Sequence, residues 1–319
     1  MSYDIKYLIS QNVYEKNIKI YNFSAIDYFL EDSNMKYHYQ NLKKIWNQHQ
    51  NEMDNTFSLL IKNIENKIGK GRDKSFEEKI ELTTFDEYVY SNTITIIIDG
   101  FKSEDKAFSK KWIKFIDYFD KETMFYQFRW PSDSNENIMK DGNLSFIKNI
   151  SKNFAASKNR AKICGKMLAY ILMSFKFFKN FQINLIGFSL GNHVIKHCIK
   201  EVYKINNLNK KSDNIFKFKN IICIAAATHI ENKLLWASYI EDLVIDKFIN
   251  CYSSEDSILK LLYTSCMLKD AVGNSKLIIK NEKGVNLVNN YDFTKNKFGH
   301  RSYDFKILAE RVFGTNKDI

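Results

Sequence analysis

Between residues 91 and 253, short apolar runs alternate with segments whose apolar positions recur every three or four residues. TITIII (93–98) is a β-branched run that stops at Asp99-Gly100, which predicts a buried parallel strand followed by a turn. FSKKWIKFIDYF (108–119) sets Phe108, Trp112, Phe115, Ile116 and Phe119 on one helical face. MFYQFRW (124–130) predicts a second strand, ended by Pro131. A long helix is expected over 154–178, from the stripe Cys164, Met167, Leu168, Ile171, Leu172 and Phe175. INLIGF (183–188) predicts the third strand. A helix follows over 190–206, with Leu190, Val194, Ile195, Cys198, Ile199 and Val202 on its apolar side. NIICIAAAT (220–228) and KFINCYS (247–253) predict the fourth and fifth strands, with a helix over 231–243 between them. DSILKLLY turns helical, KLIIK (276–280) and VNLV (285–288) read as short strands or extended loop, and a helix over 302–313 closes the pattern.

Strands alternating with helices predict a mostly parallel α/β sheet, and right-handed crossovers put helices on both of its faces. The first 88 residues read differently. Residues 35–66 are polar with Ile45, Trp46, Met53, Phe57, Leu60, Ile61 and Ile64 at helical spacing, and GKGRDKS (69–75) carries the strongest loop signal. The expected organisation is a helical N-terminal segment or cap, 1–88, packed on an α/β domain, 89–319.

Composition narrows the function classes. Of 319 residues 45% are hydrophobic and 15% aromatic, enough to bury a substantial core. The net charge of +11 comes from scattered lysines. Lys110-Lys111 and Lys210-Lys211 are short pairs, not a basic arm, and no nucleic-acid motif accompanies them, so no nucleic-acid partner is expected. Cys164, Cys198, Cys223, Cys251 and Cys266 are odd in number and widely spaced, which argues against a disulfide framework and a zinc site and for a reducing compartment. No cofactor and no metal are expected. The N-terminus lacks the pattern of a signal peptide. The most apolar segment, 163–178, carries Lys166 and Lys176 and falls short of a membrane span. These features predict a soluble, cytoplasmic protein.

The candidate chemistry lies at Gly187-Phe188-Ser189-Leu190-Gly191. G-x-S-x-G between a strand and a helix is the nucleophile elbow of α/β-hydrolases. Side chains at 187 and 191 would collide with neighbouring chain, so glycine fits both. The turn lifts the Ser189 hydroxyl over the sheet, and the Leu190 N–H can face a developing oxyanion. A serine needs a base, itself oriented by an acid, in the chain order Ser, acid, His. His193 and His197 sit on the helix after the serine and read as partly exposed helix residues, and His229 precedes the acid candidates. His300, in the loop KFGHRSYD, is the base candidate. Past the fifth strand lie Glu255 and Asp256, of which Asp256 is favoured; Asp246, Asp270 and Asp292 are less well placed. The loop after the first strand, Asp99-Gly100-Phe101-Lys102, should supply the second oxyanion N–H, from Phe101 or Lys102.

Ile183–Glu201, NIICIAAATH, KFINCYSSEDSILKLLY and KFGHRSYD, with IIIDGF (96–101), YQFRW (126–130) and AKICGKMLAYIL (161–172) in the same order, resemble the α/β-hydrolases of the transmembrane-and-coiled-coil-domain-four type, domain of unknown function 726. The resemblance covers about residues 90–313. Its most specific parts are the elbow, Y-S-x-x-D-x-I-L around Asp256 and G-H-x-x-Y at 299–303. It implies a lipase-like fold and a Ser189–Asp256–His300 triad. Asn192-His193 stand where such proteins often have Ala and Arg. The expected function is a serine hydrolase cleaving a carboxylic ester, with an acyl lipid favoured, through an acyl-enzyme. Its partners would be a small-molecule or lipid ester and, peripherally, an anionic membrane surface. The alternative is a non-catalytic α/β-hydrolase scaffold acting as a binding module.

Overall fold

The computed structural model describes residues 18–20, 80–84, 92–101, 110–116, 123–130, 132, 143–174, 178, 181–208, 215–267, 270–300 and 302–314. Its strands are β1 (Ile18–Ile20), β2 (Ile80–Thr84), β3 (Thr93–Ile98), β4 (Thr123–Arg129), β5 (Gln182–Phe188), β6 (Phe218–Ile224), β7 (Val244–Tyr252) and β8 (Val288–Asp292). Its α-helices are α1 (Lys110–Ile116), α2 (Asn143–Ser174), α3 (Gly191–Leu208), α4 (Lys233–Leu243), α5 (Ser257–Met267) and α6 (Phe305–Phe313). The strands form one sheet in the order β1-β2-β4-β3-β5-β6-β7-β8, in which β2 runs antiparallel to β4 and the strands from β4 to β8 are mutually parallel. With the elbow after β5, this is the α/β-hydrolase fold.

Period-two alternation divides the apolar residues of β3 between two cores. Ile94, Ile96 and Ile98 pack with Leu168, Leu172, Val194, Ile199 and Trp236, from helices α2, α3 and α4. Ile97 faces the other way, with Trp112, Phe115, Phe305 and Leu308 of α1 and α6. Both faces are therefore covered, and the strands read as continuous apolar runs for that reason. A buried polar row crosses the sheet and pins its register. The Thr95 and Thr123 hydroxyls meet at 2.9 Å, Asn184 donates to Thr95 (3.0 Å), and Asn220 donates to Asn184 (3.0 Å).

Elements that the periodicity predicts are present, with shifted ends. The long helix starts at Asn143, well before 154. The fourth strand stops at Ile224, because Ala225 turns with φ 45° while its N–H still bonds the Cys251 carbonyl at 3.0 Å. The segments 276–280 and 285–288 contribute one antiparallel bridge, Lys280 with Asn286; the edge strand is β8, whose sequence VNNYD carries little apolar signal. In the first 88 residues, where no strand was expected, β1 and β2 join the sheet. The helical stripe over 35–66 lies outside the described residues. Among the described residues, no helix is long and apolar enough to cross a membrane.

Candidate active site

The strand order reverses at β3, which has β4 on one side and β5 on the other. Ligands of parallel α/β sheets gather beyond the carboxyl ends of strands at such a point. Two loops meet there: the elbow after β5 and the turn after β3.

Ser189 has φ 51°, the left-handed conformation that a strand running directly into a helix imposes. Neighbours hold this strained turn. The Ser189 N–H bonds the Ile224 carbonyl (3.0 Å), and its carbonyl accepts from the Ala227 N–H (3.0 Å) and the Asn192 N–H (3.2 Å). The close approaches explain the glycines. A Cβ on Gly191 would lie 2.2 Å from the Ile98 carbonyl oxygen, and one on Gly187 2.5 Å from Asn192 Oδ1. A Cβ on Gly100 would lie 2.7 Å from Ser189 Cβ, so the turn after β3 passes directly against the elbow.

The three residues expected in line from the sequence are brought together. Ser189 Oγ lies 2.7 Å from His300 Nε2, and His300 Nδ1 lies 2.7 Å from Asp256 Oδ2. Asp256 is fully buried, Ser189 nearly so, and His300 half-buried. The carboxylate can only accept from Nδ1, which fixes the proton there and leaves Nε2 as the acceptor of the serine O–H. Asp256 also caps α5: its Oδ1 accepts from the Leu259 N–H (3.0 Å). The Phe188 ring stacks on the imidazole, with centroids 5.5 Å apart and planes 26° apart.

The other acids stay apart from this line. Glu255, Asp246, Asp270 and Asp292 are exposed, and Asp292 accepts from the Thr294 N–H at 2.8 Å. Leu190 is fully buried, and among the described residues its N–H has no acceptor. Phe101 lies in the turn after β3, half-buried, with its ring edge-on to Phe154 at 6.3 Å. Lys102 lies outside the described residues.

His193 corrects the sequence reading: it is buried, not partly exposed, because α3 packs under the loop that follows β6. Its Nδ1 lies 3.1 Å from the Thr228 hydroxyl, and its ring meets His197 edge-on. Burial, with nearby cations, holds the His193 pKa far below the ordinary imidazole value. The same causes take half-buried His197 down to about 3. Lys196 between them is 2% exposed and donates to the His229 carbonyl (2.7 Å) and to Glu231. Burial lowers the Lys196 ammonium to about 8, against the Glu231 hydrogen bond. Burial opposes ionisation of Glu231 as well, but the Lys196 hydrogen bond prevails and holds its carboxyl at about 2.

Sequence reasoning missed the residues that brace the site. Asn192 Nδ2 lies within 3.0–3.1 Å of the Gly187, Ser189 and Ile224 carbonyls, tying the elbow to β6. Asp99, legible only as a turn former, is buried, and its carboxylate takes the Gly100 N–H, Lys111 and the Trp112 indole N–H. Side chains distant in sequence leave no local signal of this kind. Cys164, Cys198, Cys223 and Cys251 are buried, and burial raises their thiol pKa values, Cys223 to about 12. Among the described residues, no group of three or more His, Cys, Asp or Glu could hold a metal ion.

The profile of a protein family of unknown function, DUF726, matches residues 142–313, more than half of the chain. A rice (Oryza sativa subsp. japonica) protein, transmembrane and coiled-coil domain-containing protein STS1, is 29% identical over 154 residues, 48% of this chain and 21% of that one. The uncharacterized membrane protein F35D11.3 of Caenorhabditis elegans is 29% identical over 150 residues, 47% of this chain and 22% of that one. The chain thus spans about a fifth of the length of these relatives. Among solved structures, Aspergillus fumigatus lipase B aligns with a TM-score of 0.41 at 11% identity, over 75% of this chain and 56% of that one. An alpha-beta serine hydrolase homologue from Coxiella burnetii aligns with a TM-score of 0.33 at 11% identity, over 75% and 91%.

Proposed function

The chain belongs to the DUF726 family of proteins of unknown function, and from that premise we propose that it is a serine hydrolase that cleaves a carboxylic ester, an acyl lipid by preference. One observation carries the reading: an unbroken hydrogen-bonded line from Ser189 through His300 to buried Asp256, with 2.7 Å at each contact. A structural serine has no need of a tautomer-fixed imidazole aimed at its hydroxyl.

In this reading Ser189 Oγ attacks the ester carbonyl carbon while its proton passes to His300 Nε2. The carbonyl oxygen becomes an oxyanion, held by the Leu190 N–H and by an N–H of the turn after β3, from Phe101 or Lys102. Collapse breaks the carbonyl carbon–alkoxy oxygen bond, and the Nε2 proton goes to the leaving alcohol. His300 then takes a proton from water, the hydroxide attacks the acyl-serine, and Ser189 leaves with the proton that His300 returns. Asp256 stays ionised throughout and balances the imidazolium. Half-buried Phe101, next in the chain to the Gly100 that lies against Ser189, favours an apolar acyl group over a polar one. Lipid substrates would be met at a surface, where a chain of net charge +11 favours anionic membranes.

The test is labelling of the purified protein with a fluorophosphonate, followed by turnover of p-nitrophenyl esters of increasing chain length. Labelling and turnover in wild type, both lost in Ser189→Ala, support the reading. A folded wild type that neither labels nor turns over any ester overturns it and favours a binding scaffold.

A further inference from the structure

Acyl transfer by this site develops charge in two places, negative at the turn after β3 and positive on His300. Donors and base must keep one geometry to within tenths of an ångström. One ion pair reaches both places through its neighbours.

Asp99 ends β3 immediately before that turn and is 6% exposed. Its Oδ1 accepts from the N–H of its own neighbour Gly100 (2.9 Å) and from Lys111 Nζ (2.7 Å), and its Oδ2 from Trp112 Nε1 (3.1 Å). Its carbonyl accepts from Trp130 Nε1 (2.9 Å). The peptide that leads into the turn is therefore held by side chains from α1 and by Trp130, just after β4. On its other side Gly100 lies against Ser189. The Gly100 N–H is committed to Asp99, so the donor to an oxyanion comes from further along the turn.

Lys111 carries the second contact. Its ammonium lies 4.1 Å from the centroid of the Phe188 ring, and that ring stacks on His300. A buried carboxylate one residue from the turn that meets an oxyanion would repel it if uncompensated. Lys111 removes that repulsion and at the same time presses on the base's stacking partner.

We infer that Asp99 and Lys111 form a positioning pair that fixes the oxyanion turn and the His300 imidazole relative to each other. This rests on the ester-hydrolase reading above. Neither residue touches the reacting atoms; both act through neighbours, Asp99 through Gly100 and Lys111 through Phe188.

The test is a double-mutant cycle of Asp99→Asn and Lys111→Met on the full chain, with Asp99→Ala alongside. It is read by kcat, by KM and by affinity for a trifluoromethyl ketone, which mimics the tetrahedral oxyanion. Asp99→Ala should lower kcat by roughly 100-fold or more with KM little changed, and weaken the trifluoromethyl ketone by a similar factor. Asp99→Asn keeps an acceptor for Gly100 and recovers most of that loss. Lys111→Met, which leaves the carboxylate uncompensated, should cost roughly 10-fold or more in kcat. The double variant, which has no carboxylate left to compensate, should recover most of the Lys111→Met loss. Should Asp99→Ala not fold, the cycle of the other two carries the test. Losses that multiply in the double variant, or a trifluoromethyl ketone affinity unchanged while kcat falls, would overturn the pair and leave the hydrolase reading standing. An inert wild type overturns both.

Discussion

Asp256 divides its carboxylate between His300 and the helix that follows it: Oδ2 meets His300 Nδ1 at 2.7 Å, and Oδ1 meets the Leu259 N–H at 3.0 Å. The second bond fixes the orientation in which the first is made. A carboxylate that caps a helix cannot rotate away from the imidazole without exposing an orphaned N–H in a fully buried place.

The two roles separate by substitution. Asp256→Asn keeps the cap but turns an amide N–H toward Nδ1, which forces the proton to Nε2 and removes the acceptor for Ser189. Ester kcat should fall about 1,000-fold or more, with unfolding free energy changed by under ~1 kcal/mol. Asp256→Ala should show the same loss of turnover and cost a further ~1 kcal/mol or more in stability, because the cap goes as well. Turnover and urea midpoints of both variants check this. Equal stability of the two would mean that the cap is idle.

Tyr303, three residues after His300, meets Phe188 edge-on with centroids 5.9 Å apart. Its hydroxyl is buried and, among the described residues, has no hydrogen-bond partner. Burial, with Asp256 and Cys251 near it, pushes its pKa up. Tyr303→Phe removes a dehydrated hydroxyl and keeps the ring that packs on Phe188 and Phe298. Stability should rise by about 1 kcal/mol, and ester turnover should stay within a few-fold of wild type. A fall in the thermal midpoint would show that the hydroxyl has a partner in solution.

What the sequence made legible here follows physical range. Ile94 to Ile98 and Leu185 to Gly187 are contiguous and buried on both faces, so they announce themselves as strands without help. Ser189 announced itself because the elbow needs glycine at 187 and 191, four residues apart. Chain order and a place past the strand ends favour His300 and Asp256 as its partners, with Glu255 left open beside Asp256. What stayed dark depends on partners far along the chain. Asp99 owes its role to Trp112, Trp130 and Lys111. β8 lies at an edge, and its polar Asn289 and Asn290 hide it. His193 is buried by the loop after β6, which no periodicity in α3 foretells.

Lys196 and Glu231 are unequal partners. Lys196 is 2% exposed, whereas the Glu231 side chain is 41% exposed and also approaches Lys200 and His229. Removing the acid leaves a buried ammonium with the His229 carbonyl but without that carboxylate, whereas removing the ammonium leaves a hydrated carboxylate with other cations beside it. Glu231→Gln should therefore cost about 1–3 kcal/mol, a value discounted for the exposed acid, and Lys196→Met should lie within ~1 kcal/mol of wild type. Urea denaturation at pH 7 measures both. The reverse order would mean that the ammonium is hydrated after all.

The same α3 face sets how stability responds to acid. His193 and His197 titrate below their unfolded value of about 6.5, mainly because burial disfavours the imidazolium, and His197 reaches about 3. Above pH 6.5 both are neutral folded and unfolded, and the stability they permit is fully present. As pH falls below that, the unfolded chain binds protons that the folded chain refuses. Stability then drops by up to ~1.4 kcal/mol per pH unit for each group. Glu231, held near 2, adds a loss of the same sign once pH passes below its unfolded value of about 4.5. The thermal midpoint should therefore decline steadily from pH 7 to pH 4. His197→Gln should flatten the slope between pH 6.5 and 4.5, where Glu231 is still ionised in both states. His193→Gln should do so as well, from a lower starting stability, because the His193 ring packs against His197 and its Nδ1 meets Thr228. A midpoint independent of pH over that window would mean that these imidazoles are protonated in the folded protein and that α3 opens to water beside the elbow.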